Sequence, residues 1–261
     1  MKLRLILLLL PLLVLFACNR SEKSEYNDDG TLKKKTLYTS PDKSNYREIE
    51  YSDGNTITGL REYTDGIRNG RYFDYYSNGK IKSVFYYDMG RLNSIARFYD
   101  SGGNLTDKGL FIQDSMVVKE EFFYRDNMMK MNAFSKNTGQ FDQAGELLYN
   151  KEGLFAVSNS FYYIVRSADS IPTGDSLRVF VDFISPENQN SHIALSLGSL
   201  DEQLQFTSKD KTYMSDSLSL SFYFKPRKTG YNLILGKLLY ITDKPKEQVK
   251  EFVFYHDFLT Y

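Results

Sequence analysis

Few side chains in this sequence could carry out covalent catalysis or bind a transition metal. The chain has 261 residues but only two histidines, His192 and His256, and a single cysteine, Cys18. A serine or cysteine nucleophile needs a neighbouring base, and a structural zinc site needs about four sulfur or nitrogen ligands. The sequence therefore predicts no catalytic residue, no metal site and no cofactor, and we expect a protein that is not an enzyme.

The most suggestive catalytic motif is Gly174-Asp175-Ser176-Leu177, which resembles the signature of the GDSL hydrolases. In that family an apolar strand leads into the serine and a helix follows it. Here the preceding segment is polar and contains Pro172, whereas the following segment alternates like a strand. Neither histidine has an aspartate three residues before it, as that family requires. An Asp-Ser turn at the start of a strand explains the motif better.

Cys18 points to lipid chemistry instead. Lys2 and Arg4 precede an apolar run from Leu5 to Ala17, which is 13 residues long and interrupted by proline. That run is shorter than the roughly 20 residues of a membrane-spanning helix and is typical of a secretory signal. The sequence "LFAC" that ends at Cys18 resembles the bacterial lipobox, which implies a lipoprotein signal peptide over residues 1–17 and acyl chains such as palmitate on Cys18. The alternative is an ordinary signal peptide whose cysteine is incidental.

The segment after Cys18 suits a protein held at a membrane by its lipid. Residues 18–25 are polar and charged, which predicts a short tether. More than one acyl chain anchors a protein stably, so we expect a membrane partner through the lipid. Asn19 stands where some bacteria place an aspartate for inner-membrane retention, which favours the outer membrane or the cell surface. Without Lys2 and Arg4 the chain has 31 basic and 33 acidic residues, and this balance argues against a nucleic-acid partner.

A tyrosine followed by a turn recurs along the first 150 residues. The spacings are 25, 25, 23, 25 and 25 residues, for Tyr26, Tyr51, Tyr76, Tyr99, Tyr124 and Tyr149. Turn glycines follow these tyrosines or form a second series between them, at Gly30, Gly54, Gly66, Gly70, Gly79, Gly90 and Gly102. Two turns per 25 residues leave strands of about six to eight residues, so each repeat predicts one antiparallel hairpin. Stacked hairpins bury their faces as one sheet, and the tyrosines are better explained as structural ladders than as a strip that binds a ligand.

The best-preserved part of this repeat is similar to a known family. The segments "DGIRNG" (Asp65 to Gly70) and "YYSNGKI" (Tyr75 to Ile81) resemble the bacterial MORN-variant repeat, which is also described as antitoxin-like. The resemblance covers about half of the chain. It implies an open β-meander and a role in interactions, and the family has no catalytic residues in common.

The repeat fades after Gly153, and short apolar or alternating runs separated by polar turns follow. Five to seven strands in about 105 residues predict a small β-sandwich of immunoglobulin-like size. The expected fold is therefore all-β, with MORN-like hairpin repeats over 26–153 and a β-sandwich domain over 154–261. The alternative is a degenerate repeat that continues to the end. Gly236, inside an apolar strand, predicts a bulge or a close backbone approach.

An Asp-Ser-apolar pattern occurs four times and resembles a short O-glycosylation acceptor of some exported bacterial proteins. The candidate serines are Ser115, Ser170, Ser176 and Ser217. The competing explanation is that Asp-Ser begins strands after turns.

We expect a lipid-anchored cell-envelope protein that acts as a non-catalytic binding scaffold for an envelope protein partner. Three alternatives remain open at this point. They are an immunity or antitoxin role, hydrolysis of envelope glycans or esters, and binding of lipid headgroups by the repeats.

Overall fold

A computed structural model describes residues 21–52, 55–125, 128–137, 140–150, 155–157, 161–185, 191–242 and 249–261. Every regular element among them is a β-strand, which confirms the predicted all-β class. None of these residues forms a helix that is long and apolar enough to span a bilayer.

The first thirteen strands form one antiparallel sheet, which we call the meander. Strands that follow each other along the chain are neighbours in the sheet, apart from the two-residue β7, which pairs only with β6. This is the predicted stack of consecutive hairpins. The strands are β1 (Glu22–Tyr26), β2 (Leu32–Tyr38), β3 (Tyr46–Ser52), β4 (Thr56–Thr64), β5 (Ile67–Tyr75), β6 (Ile81–Asp88), β7 (Arg91–Leu92), β8 (Ile95–Tyr99), β9 (Leu105–Ile112), β10 (Ser115–Arg125), β11 (Met128–Asn137), β12 (Gln140–Asn150) and β13 (Phe155–Val157).

One edge of the meander explains the tyrosine repeat. The pairing register shifts immediately before Tyr26, Tyr51, Tyr75 and Tyr99, near the end of each strand. The extra residue of each β-bulge lies on the next strand, so that strand bends and twists just after the chain reverses. These extra residues are Lys33, Thr58, Lys82 and Thr106. Tyr75, not its neighbour Tyr76, occupies the pairing position that is equivalent to Tyr51 and Tyr99, so the structural period here is 24 rather than 23 to 25 residues.

The turns at this edge need glycine at one position. Gly30, Gly79 and Gly103 have φ angles of 81°, 80° and 90°, which is the left-handed region that glycine tolerates best. The amide of each of these glycines donates to the carbonyl three residues earlier. Gly103 therefore has the turn conformation that the sequence pattern assigned to Gly102.

The opposite edge carries two-residue hairpin turns in which both residues have positive φ. This is the type I′ turn, whose twist matches that of the flanking strands. The turns recur every 24 residues, at Asp65-Gly66, Met89-Gly90 and Gln113-Asp114. In each turn the second amide donates to a carbonyl of the preceding hairpin, in the pairs Gly66–Ser44, Gly90–Arg68 and Asp114–Leu92. The second glycine series therefore marks the joints between successive hairpins.

The remaining strands form two sheets packed face to face, which we call the sandwich. The three-stranded sheet consists of β14 (Tyr162–Arg166), β16 (Leu177–Ile184) and β19 (Ser219–Phe224). The five-stranded sheet has the order β15 (Ser170–Ile171), β21 (Lys250–Thr260), β20 (Gly230–Thr242), β17 (Ser191–Leu200) and β18 (Phe206–Ser215). β13 still pairs with β12, so the meander continues to Val157.

Alternation along the strands builds the core of the sandwich. Leu177, Val179, Val181 and Phe183 of β16 are all buried, whereas the residues between them are exposed or half-buried. They pack against alternate residues of the five-stranded sheet, such as Ile234, Leu238 and Tyr240 of β20.

The meander covers the other face of the five-stranded sheet. Ile95, Leu110, Ile112 and Val117 of the meander form a second apolar cluster with Leu200 and Tyr255 and with the half-buried Leu233, Leu235 and Val253 of the sandwich. The strands β20 and β21 are therefore covered on both faces, and the molecule has three layers where β8–β10 cross the sandwich.

Candidate binding groove

The contact between meander and sandwich is tightly organised around Tyr231 of β20. Its ring stacks on Tyr86 of β6 with centroids 4.0 Å apart and planes 15° apart. Its hydroxyl oxygen accepts a hydrogen bond of 2.9 Å from the backbone amide of Ile95. Burial raises the pKa of the Tyr231 hydroxyl well above its ordinary value, with a further contribution from the charge of Asp257. The side chain therefore stays neutral and fixes the position of β8.

A charged contact crosses the same interface next to Tyr231. Arg97 Nη2 of β8 lies 2.6 Å from Asp257 Oδ1 of β21. Burial alone lowers the pKa of the Arg97 guanidinium, but the hydrogen bond and charge of Asp257 outweigh burial and raise it. Asp257 lies on the meander side of β21 and His256 on the other side, because neighbouring residues of a strand face opposite ways.

Glu120 of β10 is a buried carboxylate with partners from both parts of the molecule. It is 3% exposed, pairs with Lys108 Nζ at 3.1 Å and accepts a hydrogen bond from the Tyr255 hydroxyl. Lys108 also lies over the Tyr255 ring, 4.9 Å from its centroid. Burial, and next the charge of Glu120, raise the pKa of Tyr255. A buried carboxylate with these partners holds the two parts in register, because removing one partner would leave a buried charge uncompensated.

A groove of about 1420 Å³ opens beside this interface, between β3–β7, β9 and β10 of the meander and β17, β18 and β20 of the sandwich. Charged side chains of both signs line it. Three of its cations pair with carboxylates that also line it, Arg47 with Glu62 at 3.1 Å, Arg227 with Asp210 at 3.2 Å and Lys228 with Asp88 at 3.2 Å. Arg71 is exposed in the groove and forms no ion pair with the carboxylates that the structure describes.

The five-stranded sheet itself opens where it borders the groove. Strands β17 and β20 pair from Ser191 and Thr242 as far as Leu197 and Gly236. Beyond that point Gly198–Leu200 pairs only with β18, and Gly230–Leu235 pairs only with β21. Both segments line the groove. We call the opening between them the split.

Two glycines allow close backbone approaches at the point where β17 and β20 diverge. Gly236 lies against β17, and Gly198 lies against β18. A Cβ atom on Gly236 would overlap the backbone carbonyl oxygen of Ser196, and one on Gly198 would overlap that of Ser208. The close approach predicted for Gly236 is therefore confirmed. The pairing of β17 with β18 shifts register twice in the same region, and the extra residues, Asp210 and Thr207, lie on β18. Such bulges bend the strand that carries them and increase the local twist.

The repeat tyrosines lie away from the groove, at one edge of the meander. Tyr26 and Tyr99 end their strands, Tyr51 is the residue before the end of β3, Tyr76 directly follows β5, and Tyr124 lies near the end of β10. Tyr26 and Tyr124 are 63% and 49% exposed. Tyr76 donates from its hydroxyl to the Tyr99 carbonyl at 2.7 Å, which joins successive turns. Tyr149 lies in β12, and its side chain, like Gly54 and Cys18, falls outside the part that the structure describes.

Other tyrosines form a ladder across the strands of the meander. Tyr46 stacks on Tyr63 with centroids 4.5 Å apart, and Tyr38 meets Tyr46 edge-on at 6.0 Å. Burial raises the pKa of Tyr63 to about 12. The rings engage one another's faces, which leaves little flat surface for an outside ligand.

The turn glycines Gly66, Gly70 and Gly90 all have positive φ, of 73°, 107° and 83°. Gly70 lines the groove, and a Cβ there would lie 2.6 Å from Glu62 Oε2, the carboxylate that accepts from the Arg71 amide at 2.7 Å. This glycine therefore leaves room for a groove side chain, a role that its place in the repeat did not indicate.

The sequence motif at Ser176 forms a turn. Gly174 has a φ angle of 98°, the amide of Asp175 donates to the Pro172 carbonyl, and β16 begins at Leu177. The Asp-Ser turn is confirmed. Ser170, Ser176 and Ser217 are exposed, and Ser115 is half-buried at the start of β10. Glycosylation of the four serines stays a prediction.

One serine and histidine do meet, although neither belongs to that motif. Ser167 Oγ lies 2.5 Å from His256 Nε2. Burial lowers the pKa of His256, partly opposed by the charge of Asp257. A serine with an adjacent neutral imidazole is half of a nucleophilic site. Neither residue lines the groove, so a substrate in the groove would not meet them.

Among the residues that the structure describes, no three histidine, cysteine, aspartate or glutamate side chains could together hold a metal ion. A comparison of the sequence with models of protein families and with curated proteins finds no match to either.

Proposed function

We propose that this protein is a lipid-anchored binding scaffold of the cell envelope, which holds a protein partner in the groove between meander and sandwich. The groove is the observation on which the proposal depends. It is formed by both parts of the molecule, and the buried contacts of Tyr231, Arg97 and Glu120 fix its walls. A pre-formed concave surface between two parts of a molecule is a typical place for a binding site.

The lipid anchor in this proposal is supported by the sequence alone. The leader that ends at Cys18 supports lipidation and a place at the outer membrane or the cell surface, and the MORN-like motifs support a role in interactions. An immunity protein would be a specialised form of the same scaffold, with a toxin as its partner.

The groove is tested by crosslinking in cells. A photoreactive amino acid replaces Arg71 in the groove, and a matched control replaces Tyr223, which is 64% exposed on the three-stranded sheet. We expect a specific crosslinked protein from position 71 and none from position 223. Equal products from both positions, or none from position 71, would contradict the proposal. Cys18→Ser in the same cells should abolish palmitate labelling and release the protein from the membrane fraction.

The contact of Ser167 with His256 favours a second candidate, an esterase. Ser167→Ala would then abolish labelling by a fluorophosphonate probe, which reacts with activated serines. If the unaltered protein reacts no faster with this probe than Ser167→Ala does, the esterase candidate is excluded.

A further inference from the structure

Hydrogen-bond directions in the five-stranded sheet show which backbone groups face the split. The amide of Leu259 in β21 donates to the Asp169 carbonyl, towards β15 and away from β20. Because backbone groups alternate sides along a strand, the neighbours of Leu259, including Phe258, bond to β20. Phe258 pairs with Asn232, so the even-numbered residues of β20 bond to β21.

The odd-numbered residues of β20 consequently direct their N–H and C=O groups towards β17. From the C-terminal end of β20 back to Lys237, these groups lie opposite β17, and Lys237 pairs with Ser196. At Tyr231 and Leu233 no described strand lies opposite. Leu235 and Gly198 flank the last pair of the two strands, Leu197 with Gly236, and so belong to the end of the ladder. On the facing strand the amide of Ser199 donates to Ser208 Oγ of β18, so the backbone groups of Leu200 face the split.

Two strand segments with free edges therefore border the same groove. Unpaired backbone groups at sheet edges are a template for another extended chain. Their donors and acceptors recur every second residue, roughly 6.6 to 6.8 Å apart, which is the repeat of a β-strand. Sugar rings do not present donors and acceptors with this regularity. The Tyr86 and Tyr231 rings nearby stack on each other and offer no open pair of faces for a sugar.

We propose that the split binds an extended polypeptide segment of the partner, which adds a strand to the free edge of β20. This inference rests on the proposed binding function and specifies its ligand. Main-chain hydrogen bonds from Tyr231 and Leu233 would supply affinity, and the charged groove side chains would select the sequence.

The chain offers a variant that removes one split-facing donor alone. Leu233→Pro deletes an N–H that β21 does not use, and proline is tolerated at a strand edge when its nitrogen faces away from the ladder. Leu233→Ala is the matched control, because it loses the same side-chain packing in the interface cluster but keeps the N–H.

The probe is a displayed library of random dodecapeptides, selected on the purified protein. We expect the strongest peptide to lose about tenfold in affinity with Leu233→Pro and less than about threefold with Leu233→Ala, because each lost backbone hydrogen bond costs of the order of a factor of ten. Analogues methylated at alternate backbone nitrogens test the same bonds without altering the protein. Each methyl group in one alternating series should weaken binding about tenfold, whereas a methyl group in the other series should leave the affinity near that of the parent peptide.

Amide exchange measured by NMR gives a second result. The amides of Tyr231 and Leu233 should become protected when the peptide binds, whereas those of Asn232 and Ile234 should be protected already by β21. Failure to select any peptide, or equal binding by both methylated series, would overturn the inference. If Leu233→Pro leaves peptide affinity unchanged while position 71 still crosslinks a partner in cells, the scaffold function stands and strand addition falls. If position 71 of the otherwise unaltered protein crosslinks no partner, both proposals fall.

Discussion

The Arg61 guanidinium of β4 is buried in the meander, away from the groove. Arg61 is 6% exposed, and its Nη2 atom lies 3.0 Å from Glu50 and 2.5 Å from Asp74. It also stacks on the Tyr72 ring at 3.8 Å. Gly59 makes room for this cluster, because a Cβ there would approach the guanidinium to 2.8 Å. One side chain thus ties three neighbouring strands together.

Replacing this arginine should cost more than replacing an exposed one. We expect Arg61→Leu to lower the free energy of unfolding by about 2 kcal/mol, less than for a fully buried pair because both carboxylates are partly exposed. Arg91, paired with Asp114 at the surface, is the control, and Arg91→Leu should cost less than about 1 kcal/mol. Urea unfolding measures both. Equal costs would show that burial of Arg61 contributes nothing.

His256 should make the fold sensitive to mild acid. Its pKa is lowered from 6.5 by burial, so below pH 6.5 the unfolded chain binds more protons at this site than the folded chain. The corresponding stability is fully present above pH 6.5 and is lost as the pH falls through the lowered value. His256→Gln should therefore lose less stability than the unaltered protein between pH 6.5 and 5. Unfolding in urea across this range measures the difference. Parallel curves for His256→Gln and unaltered protein would refute the prediction.

At the scale of strands and turns, the repeat could be predicted from sequence because each hairpin depends on neighbouring residues. Glycines at turn positions and recurring tyrosines give the period, and both edges of the meander confirm the hairpins. The register was less certain. Tyr75 and Tyr76 are adjacent and chemically identical, so only the register shift before Tyr75 identifies the equivalent residue. The Arg61 cluster lay beyond prediction, since it depends on which residues of three strands are opposite.

Gly236 is the strand residue whose replacement should be most informative. An added methyl group would overlap the Ser196 carbonyl, so β17 and β20 would have to separate. We expect Gly236→Ala to cost about 1 to 3 kcal/mol, the usual range for overpacking. Gly102→Ala is the control, because its Cβ would meet only side-chain ends, at 3.0 and 3.3 Å, and it should cost less than about 0.5 kcal/mol. Urea unfolding of both variants measures the two costs. Equal losses of stability would contradict the prediction.

For the whole molecule, the sandwich and the meander were predictable separately and their contact was not. The run "NLILGKLLYIT" is apolar at seven of its eleven positions, on both faces of the strand, which is typical of a strand buried on both faces. That signal was available in β20 but does not say what covers the second face. The groove and the split depend on this contact and on the divergence of two strands. Neither feature could therefore be predicted from the sequence.

Leu110 tests whether the two parts unfold together. It is fully buried where the meander meets the sandwich. We expect Leu110→Ala to lower stability by about 2 to 5 kcal/mol and to shift meander and sandwich in one transition. Hydrogen exchange with mass spectrometry can follow peptides from β5 and β16 through the denaturant series. Ile67→Ala, at a site 43% exposed in a turn region of the meander, should shift the transition little. If Leu110→Ala leaves the unfolding midpoint of the sandwich unchanged, the two parts unfold independently.

The bonds from each type I′ turn to the preceding hairpin have a consequence for how this protein could evolve. Each joint uses the same backbone atoms, at Gly66, Gly90 and Asp114, so a gene that gained or lost one 24-residue unit would still encode a continuous sheet. Each such event would change the reach of the meander by two strand spacings, roughly 9.6 Å. Recombination between repeats outside β6–β10 would therefore alter the span of the protein in fixed increments, while the hairpins that contact the sandwich stay as they are.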